Sequence, residues 1–451
     1  MSKYFGTDGF RGEAGVELTA EHAFKIGRFL GQHLNEMSGE ETRPRVLIGK
    51  DTRLSSYMLE YAIASGLVSS GADVYLLHVT TTPSVSYVTV EERFDLGIMI
   101  TASHNPFYDN GIKILDGEGQ KIGDDLTEKI EEYLDSQETD NTFVHGADIG
   151  RIYDHYSGRN AYVGHLIATA SSSYKGLKIG LDAANGAAFA IARSVFAALG
   201  AEVHSIGDEP NGMNVNYECG STHPERLARL VREKRLDVGF AFDGDADRCI
   251  AADKNGNIVD GDAILYVLAR SLKKQGALNG DQIVATVMSN GGLATSLSRE
   301  GISVEITAVG DRFVYERIKE MELSLGGEQS GHIIISELGA TGDGILTAIM
   351  LTEEMVSTKQ SLSELCRGFV RLAQKNESVR VLNKDAVIED AEICRAIDRL
   401  RLEDGSRRII VRASGTEPKV RIMAEARSEE ECDKIVKTLI NLMREKGYID
   451  E

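Results

Sequence analysis

Three aspartates alternate along Asp243-Gly244-Asp245-Ala246-Asp247-Arg248, directly after the apolar run VGFAF at 238–242. Carboxylates at that spacing on one tight turn repel each other strongly unless a cation sits between them. Oxygen-only ligands suit a hard divalent ion such as Mg²⁺, which keeps open positions for a phosphate oxygen. An EF-hand also begins D-x-D-x-D, but it needs Gly at its sixth position and Glu at its twelfth, where this chain has Arg248 and Lys254. The EF-hand is rejected. A solvated acidic turn is the plainer alternative, and it fits less well, because an apolar strand aims this turn out of the end of a sheet, where open α/β sheets place ligands.

A second centre is GIMITASHNPFYDNGIKILDGEG at 97–119. An apolar strand over 97–100 runs into a polar loop over 101–110, and a second strand follows over 111–115. Asn105-Pro106 stops a helix from starting there, since a residue before proline is pushed to extended geometry. Ser103, held at a strand end beside His104, is a candidate nucleophile, although Ser-His-Asn-Pro is also ordinary turn chemistry. Lys113 lies just past this loop, and Arg11 lies in the glycine-punctuated FGTDGFRG at 5–12. Taken singly, both read as surface charges. If the loops converge, both supply positive charge where a phosphoryl group would transfer.

Two further loops have the chemistry of a phosphosugar. In RASGTEPKVR, Ser414, Gly415 and Thr416 can turn backbone N–H groups and hydroxyls to one anion, while Arg412 and Arg421 add bidentate contacts suited to phosphate. A hairpin with exposed charges is the alternative. In GGEQSGH at 326–332, Glu328 and Ser330 can share vicinal sugar hydroxyls, and His332 either assists proton transfer or caps its own loop. The polar loops at 307–312 and 211–225 are weak signals by themselves.

The elements that must position these residues alternate between strand and helix. The first unit has helices over 19–37 and 56–70, strands over 45–49 and 73–78, and a closing helix over 124–136. After a polar linker at 141–149, a second unit runs through helices at 155–170, 187–199 and 224–234 and strands at 176–181, 202–204 and 238–242. A third has strands at 283–288 and 303–306 and helices at 263–274, 293–300, 312–319 and 344–357. That order predicts three similar layered α/β domains. The last stretch differs: strands at 378–382, 408–412 and 420–426 with helices at 386–400 and 428–444 predict a C-terminal α+β domain. The expected bounds are 1–150, 151–254, 255–368 and 369–451.

The chain of 451 residues is long enough for roughly three or four domains. A formal charge of -20 without a long Lys/Arg cluster argues against nucleic-acid binding, so an anion must be met by locally gathered cations. The five cysteines form no CxxC pair, which suggests neither zinc nor a disulfide framework. No apolar run approaches membrane-spanning length, and MSKYFGTDGFRG carries no apolar signal region, so no membrane association and a cytoplasmic location are expected.

Together TASHNP, DGDADR, GEQSGH and RASGTEPKVR, at these separations, resemble the α-D-phosphohexomutase family across essentially the whole chain. GEQSGH, FGTDGFRG and NVNYECGSTHPE are most similar to the bacterial members that act on glucosamine phosphates; relatives acting on mannose and glucose phosphates usually have Met at the position of Gln329. The resemblance implies four domains with mixed sheets, heart-shaped around a central cleft lined by one loop per domain. It implies Ser103 carried as phosphoserine, and one Mg²⁺ per chain held by its phosphate with Asp243, Asp245 and Asp247. Arg11, Lys113 and Arg248 would surround the transferring group, Glu328 and Ser330 would hold the sugar, and Arg412, Ser414, Gly415, Thr416 and Arg421 would grip the other phosphate. Lys113 and His332 are both candidates to move the hydroxyl proton, with His104 orienting the phosphoserine. The implied partners are a phosphosugar substrate and a bisphosphate sugar that serves as intermediate and activator, with a homodimer as the assembly to test.

Overall fold

The computed structural model describes residues 3–6, 8–38, 43–136, 143–403, 407–414 and 419–449. The chain forms two compact units, Met1–Val287 with Ile302–Arg367, and Met288–Gly301 with Gly368–Glu451.

Three mixed sheets build the first unit among the described residues. In the first, the order is Phe5–Gly6, Gly9–Glu13, Asp109–Asp116, Leu96–Ile100, Arg45–Lys50, Asp73–Val79, Ile152–Asp154. From Leu96–Ile100 to Ile152–Asp154 the pairing is parallel, and towards the other edge it is antiparallel. Leu96–Ile100 is buried along its whole length, which is why it reads as an unbroken apolar run rather than an alternation. Its register sets Met99 opposite Lys113, one strand over from the serine loop.

The second sheet runs Ile258–Val259, Cys249–Asp253, Val238–Phe242, Lys178–Asp182, Glu202–Ile206. Here the aspartate stretch is not simply a loop after a strand. It connects a hairpin, with Phe242 opposite Cys249, and the returning strand Cys249–Asp253 went unpredicted because five residues are too few to show a period. The third sheet runs Ser303–Thr307, Gln282–Thr286, Leu325–Gly327, Ile333–Ile335. The loop expected over 326–332 is the turn between its last two strands. A helix at Thr82–Glu91 also went unpredicted. Its Val and Thr content favours strand, but Thr81 caps it by accepting from the Ser84 N–H and proline occupies its first turn.

The second unit is a three-stranded antiparallel sheet, Ala373–Arg380, Lys419–Ala426, Arg408–Ala413, with helices covering one face. Its core joins Ile409, Ile422 and Ala424 of the sheet to Ile393, Ile435, Leu439 and Met443 of the helices. The first strand begins five residues before the expected 378 and ends at Arg380, because an edge strand with exposed polar residues shows no apolar alternation. The single helix expected over 386–400 is two, Lys384–Glu389 and Ala391–Glu403, and Asp390 restarts the second by accepting from the N–H groups of Glu392 and Ile393. The short helix Gly291–Ser298 belongs to this unit, held by Glu425 Oε2, which accepts from the Gly291 N–H at 2.9 Å.

Candidate functional site

Ser103 stands where Leu96–Ile100 ends, buried and in the left-handed region at φ 50°. That conformation costs a serine roughly 1–2 kcal/mol and persists only where surrounding bonds over-determine it. Its N–H donates to Thr101 Oγ1 at 2.9 Å, and the Thr101 hydroxyl donates to Asp51 Oδ2 at 2.7 Å. Ser103 Oγ donates to Asp243 Oδ2 at 2.6 Å and lies 3.4 Å from His104 Nδ1. Gly244 makes the approach feasible: a Cβ there would sit 2.5 Å from the Ser103 carbonyl oxygen.

The hairpin turn brings one carboxylate oxygen from each of Asp243, Asp245 and Asp247 within 4.8 Å of one another. Asp245 Oδ2 accepts from Thr82 Oγ1 at 2.5 Å and from Lys113 Nζ at 2.9 Å; Lys113 Nζ also lies 3.1 Å from Asp247 Oδ2 and 3.3 Å from Asp8 Oδ2. Burial, together with Asp247 and Asp245, pushes the Asp243 carboxyl well above the usual range. Burial acts the same way on Asp245, but Lys113 and Thr82 outweigh it and hold this carboxyl at about 2. Even so, Asp245 Oδ1 and Asp247 Oδ1 are buried and accept no hydrogen bond among the described residues. Orphaned buried oxygens beside a carboxylate that resists ionisation mark a site short of positive charge. The donor set fits a hard divalent cation.

Cations close in from several loops. Arg248 Nε lies 4.0 Å from Asp243 Oδ2 and from Asp247 Oδ1. Arg248, then burial and Arg11, holds the His104 ring well below its ordinary range, so the imidazole beside Ser103 is neutral at pH 7. Arg11 Nη2 pairs with Asp8 Oδ2. Burial opposes the Lys113 ammonium, yet Asp245, Asp247 and Asp8 more than offset it and leave its pKa well raised. A lysine acting as base would need the opposite shift; as held here, Lys113 is a cation.

The 328–331 turn is pinned against this hairpin. The Cys249 N–H donates to the Gly331 carbonyl at 3.0 Å, and Arg248 and His332 form a backbone bridge. His332 is buried, with Nε2 3.6 Å from Asp311 Oδ2 and 3.9 Å from Asp247 Oδ2. Glu328 Oε1 accepts from the Gly310 N–H at 3.1 Å, and the Ser330 hydroxyl is buried with no hydrogen-bond partner among the described residues. Gln329 Nε2 donates to Asp262 Oδ2 at 3.0 Å.

Ser103, His104, Arg11, Lys113, Asp243, Asp245, Asp247, Arg248, Glu328, Ser330 and His332 therefore all lie in the first unit, and the contacts above join them into one constellation. Sequence reasoning missed its connecting pieces. Lys121 Nζ lies 2.5 Å from Asp8 Oδ1 and 2.6 Å from Asp311 Oδ2, so Lys113, Asp8, Lys121 and Asp311 form a continuous line of charge that ends 3.6 Å from His332 Nε2. The only hint was the company Asp8 and Asp311 keep in FGTDGFRG and TAVGDR. Lys121 had none.

Arg412, Ser414 and Arg421 lie in the second unit. Arg412 and Arg421 face each other on neighbouring strands and line a cavity of about 200 Å³ with Asn376, Ser378 and Met423. Ser414 is buried, and its carbonyl accepts from Lys384 Nζ at 2.7 Å. Gly415 and Thr416 lie outside the described residues.

Four family models match the chain in succession: phosphoglucomutase/phosphomannomutase α/β/α domain I over residues 2–141, domain II over 160–256, domain III over 260–372, and the C-terminal domain over 370–442. A phosphoglucosamine mutase of Lachnospira eligens is 50% identical over 99% of this chain and 100% of its own length. A solved phosphoglucomutase/phosphomannomutase family protein of Burkholderia thailandensis superposes with a TM-score of 0.77 at 26% identity, covering 98% of each chain. The Aspergillus fumigatus N-acetylphosphoglucosamine mutase, solved in complex with GlcNAc-6P and magnesium, shares the fold with a TM-score of 0.70 at 18% identity, over 99% of this chain and 96% of that one. The chain belongs to the phosphoglucomutase/phosphomannomutase family of α-D-phosphohexomutases.

Proposed function

We propose that this protein interconverts glucosamine 6-phosphate and glucosamine 1-phosphate. The carrying observation is Ser103 Oγ held at 2.6 Å on Asp243, within a carboxylate triad flanked by Lys113 and Arg248. Half-identity over full length to a phosphoglucosamine mutase supports the choice of amino sugar. On this reading Ser103 carries a phosphoryl group. The O1 hydroxyl of glucosamine 6-phosphate attacks phosphorus, the P–Oγ bond breaks, and Ser103 regains its hydroxyl as glucosamine 1,6-bisphosphate forms. The bisphosphate turns over, Ser103 Oγ takes the phosphoryl group from O6, and glucosamine 1-phosphate leaves.

Phosphoryl transfer asks mainly for positioning and charge neutralisation. Asp243, Asp245 and Asp247, with an oxygen of the serine phosphate, would hold Mg²⁺, which supplies Lewis-acid neutralisation of the phosphoryl oxygens when bound. Arg11, Arg248 and Lys113 add fixed cations around the same oxygens. His104, neutral, orients the group on Ser103. His332, whose ring nitrogens make no hydrogen bond among the described residues, takes and returns the hydroxyl proton. Glu328 and Ser330 hold sugar hydroxyls, and Arg412, Ser414 and Arg421, with Gly415 and Thr416, grip the phosphate that is not transferring.

The domain bounds 1–150, 151–254, 255–368 and 369–451, a cytoplasmic location and a homodimer complete the proposal. Among the described residues no helix is long and apolar enough to cross a membrane. The deciding experiment compares kcat/KM for glucosamine 6-phosphate and glucose 6-phosphate. A clear preference for glucose 6-phosphate overturns the substrate, and stoichiometric release of inorganic phosphate in place of isomerisation overturns the mutase.

A further inference from the structure

Two side chains converge on the backbone of the serine loop without touching the reacting atoms. The Ser103 carbonyl accepts from Arg53 Nη2 at 2.8 Å and from Asn216 Nδ2 at 2.8 Å. The same pair meets again on the Asn105 carbonyl, at 2.9 Å and 3.0 Å. Arg53 Nη1 also donates to the carbonyls of Pro106 and Asp109, and Nε donates to Asp51 Oδ2 at 2.7 Å. All five guanidinium N–H groups are thus used, on a side chain that is among the largest fully buried ones in the molecule. A buried cation with that many backbone acceptors fixes the path of the loop rather than a ligand.

Arg53 follows the strand Arg45–Lys50 of the first sheet, whereas Asn216 comes from the loop between Glu202–Ile206 and Glu225–Lys234, beside the second sheet. Asn216 is itself buried and left-handed at φ 58°. Gly244 of the aspartate turn closes a third side of the same carbonyl. The direction of that carbonyl sets the peptide plane after Ser103, and so helps hold the left-handed conformation that points Oγ at Asp243.

We propose that Arg53 and Asn216 are positioning residues that lock the Ser103 carbonyl from two sides, so that the serine is aimed at the aspartate triad only when both sheets contribute. The inference rests on the reading of Ser103 as phosphoryl carrier. With Asn216 absent, Arg53 keeps one bond to each carbonyl, so the loop survives but can rotate. A displacement of about an ångström at a reacting atom is worth on the order of 100-fold in rate.

The test is Asn216→Ala in the full-length enzyme, assayed with glucosamine 6-phosphate and, in single turnover, by intact mass with glucosamine 1,6-bisphosphate as donor. The expected result is a fall in kcat of about 10- to 100-fold with KM within about twofold. Labelling of Ser103 should slow by the same factor yet reach the wild-type end point. Asn216→Asp should be slower still, because a carboxylate would then face two carbonyl oxygens. Arg53→Lys keeps the charge, loses most of the bonds, and should fall at least as far per labelled enzyme. An unchanged kcat per labelled enzyme in Asn216→Ala overturns the inference, as does a loss that appears only as a smaller folded fraction. Ser103→Ala separates the two readings: if that variant keeps activity and label, the carrier role fails whatever Asn216 does.

Discussion

The serine–aspartate site and the arginine pair of the C-terminal unit handle charge in opposite ways. In the first, the buried Lys113 ammonium lies within 3.1 Å of both Asp245 and Asp247, themselves buried, and nearly every group is fixed by partners from several loops. In the second, Arg412 and Arg421 stand side by side on two strands, like charge beside like charge, over an open cavity. Pre-arranged burial is what a transferring phosphoryl group needs, because fixed dipoles and charges need not reorganise as the reaction proceeds. Two neighbouring cations suit an anion that is only held. The difference teaches that chemistry and anchoring are separable, and variants should report on them separately.

The largest effect expected is from Ser103→Ala. It should lower kcat/KM by at least roughly a thousandfold, since the covalent carrier is gone. Intact mass should lose the phosphorylated species at the same time. Survival of both would remove the basis for treating the buried site as the reacting one.

Lys113→Met comes next. It removes a cation that sits directly on Asp245 and Asp247, so kcat should fall by about a hundredfold or more. Because the ammonium competes for oxygens that a divalent ion would take, unphosphorylated Lys113→Met should bind Mg²⁺ more tightly, by about tenfold, in a calorimetric titration. Weaker Mg²⁺ binding would mean that Lys113 supports the metal site instead of opposing it.

Arg421→Ala should act on the other side of the comparison. Loss of one charge-assisted phosphate contact is worth about 1.5–3 kcal/mol, or roughly 10- to 100-fold. It should appear in KM for glucosamine 6-phosphate, with kcat nearly preserved. An equal fall in kcat would show that the C-terminal arginines also act in the transition state.

At their motifs, both regions were legible in the sequence. Alternating aspartates after an apolar strand can be read directly, because carboxylates that close demand a cation. The same holds for Arg412 and Arg421, which bracket a short loop of small polar residues. What stayed hidden was the tissue between motifs. Thr82, which donates to Asp245, sits in a helix whose β-branched residues suggest a strand. Asp8, Lys121 and Asp311 meet from three remote loops, and a lone charge in so acidic a chain looks like solvated surface until the fold pairs it. Arg53 and Asn216 were visible only as letters in polar turns, since their work is on backbone carbonyls, which every residue carries. Resemblance supplied the roles of the motifs, and geometry alone supplied their supports.

The smallest effect on catalysis is expected behind the aspartate hairpin, at Asp343. It caps the helix Gly344–Thr358 by accepting from the Leu346 N–H at 2.9 Å, and it accepts from the Tyr162 hydroxyl at 2.7 Å. Burial raises its carboxyl to about 6, from an ordinary value of 3.8, despite those donors. The folded state therefore holds a proton that the unfolded chain has already released. The stabilisation this proton gives is complete below about pH 4 and is lost as pH rises through about 6. Asp343→Asn keeps an acceptor for the Leu346 N–H and can donate to the Tyr162 hydroxyl, but it has no proton to lose. Its stability relative to wild type should therefore grow as pH rises from 5 to 7, by about 1.3 kcal/mol in chemical denaturation, while kcat stays within about twofold. A constant difference across that range would show that Asp343 is ionised throughout and that its capping bonds, rather than its burial, set its charge.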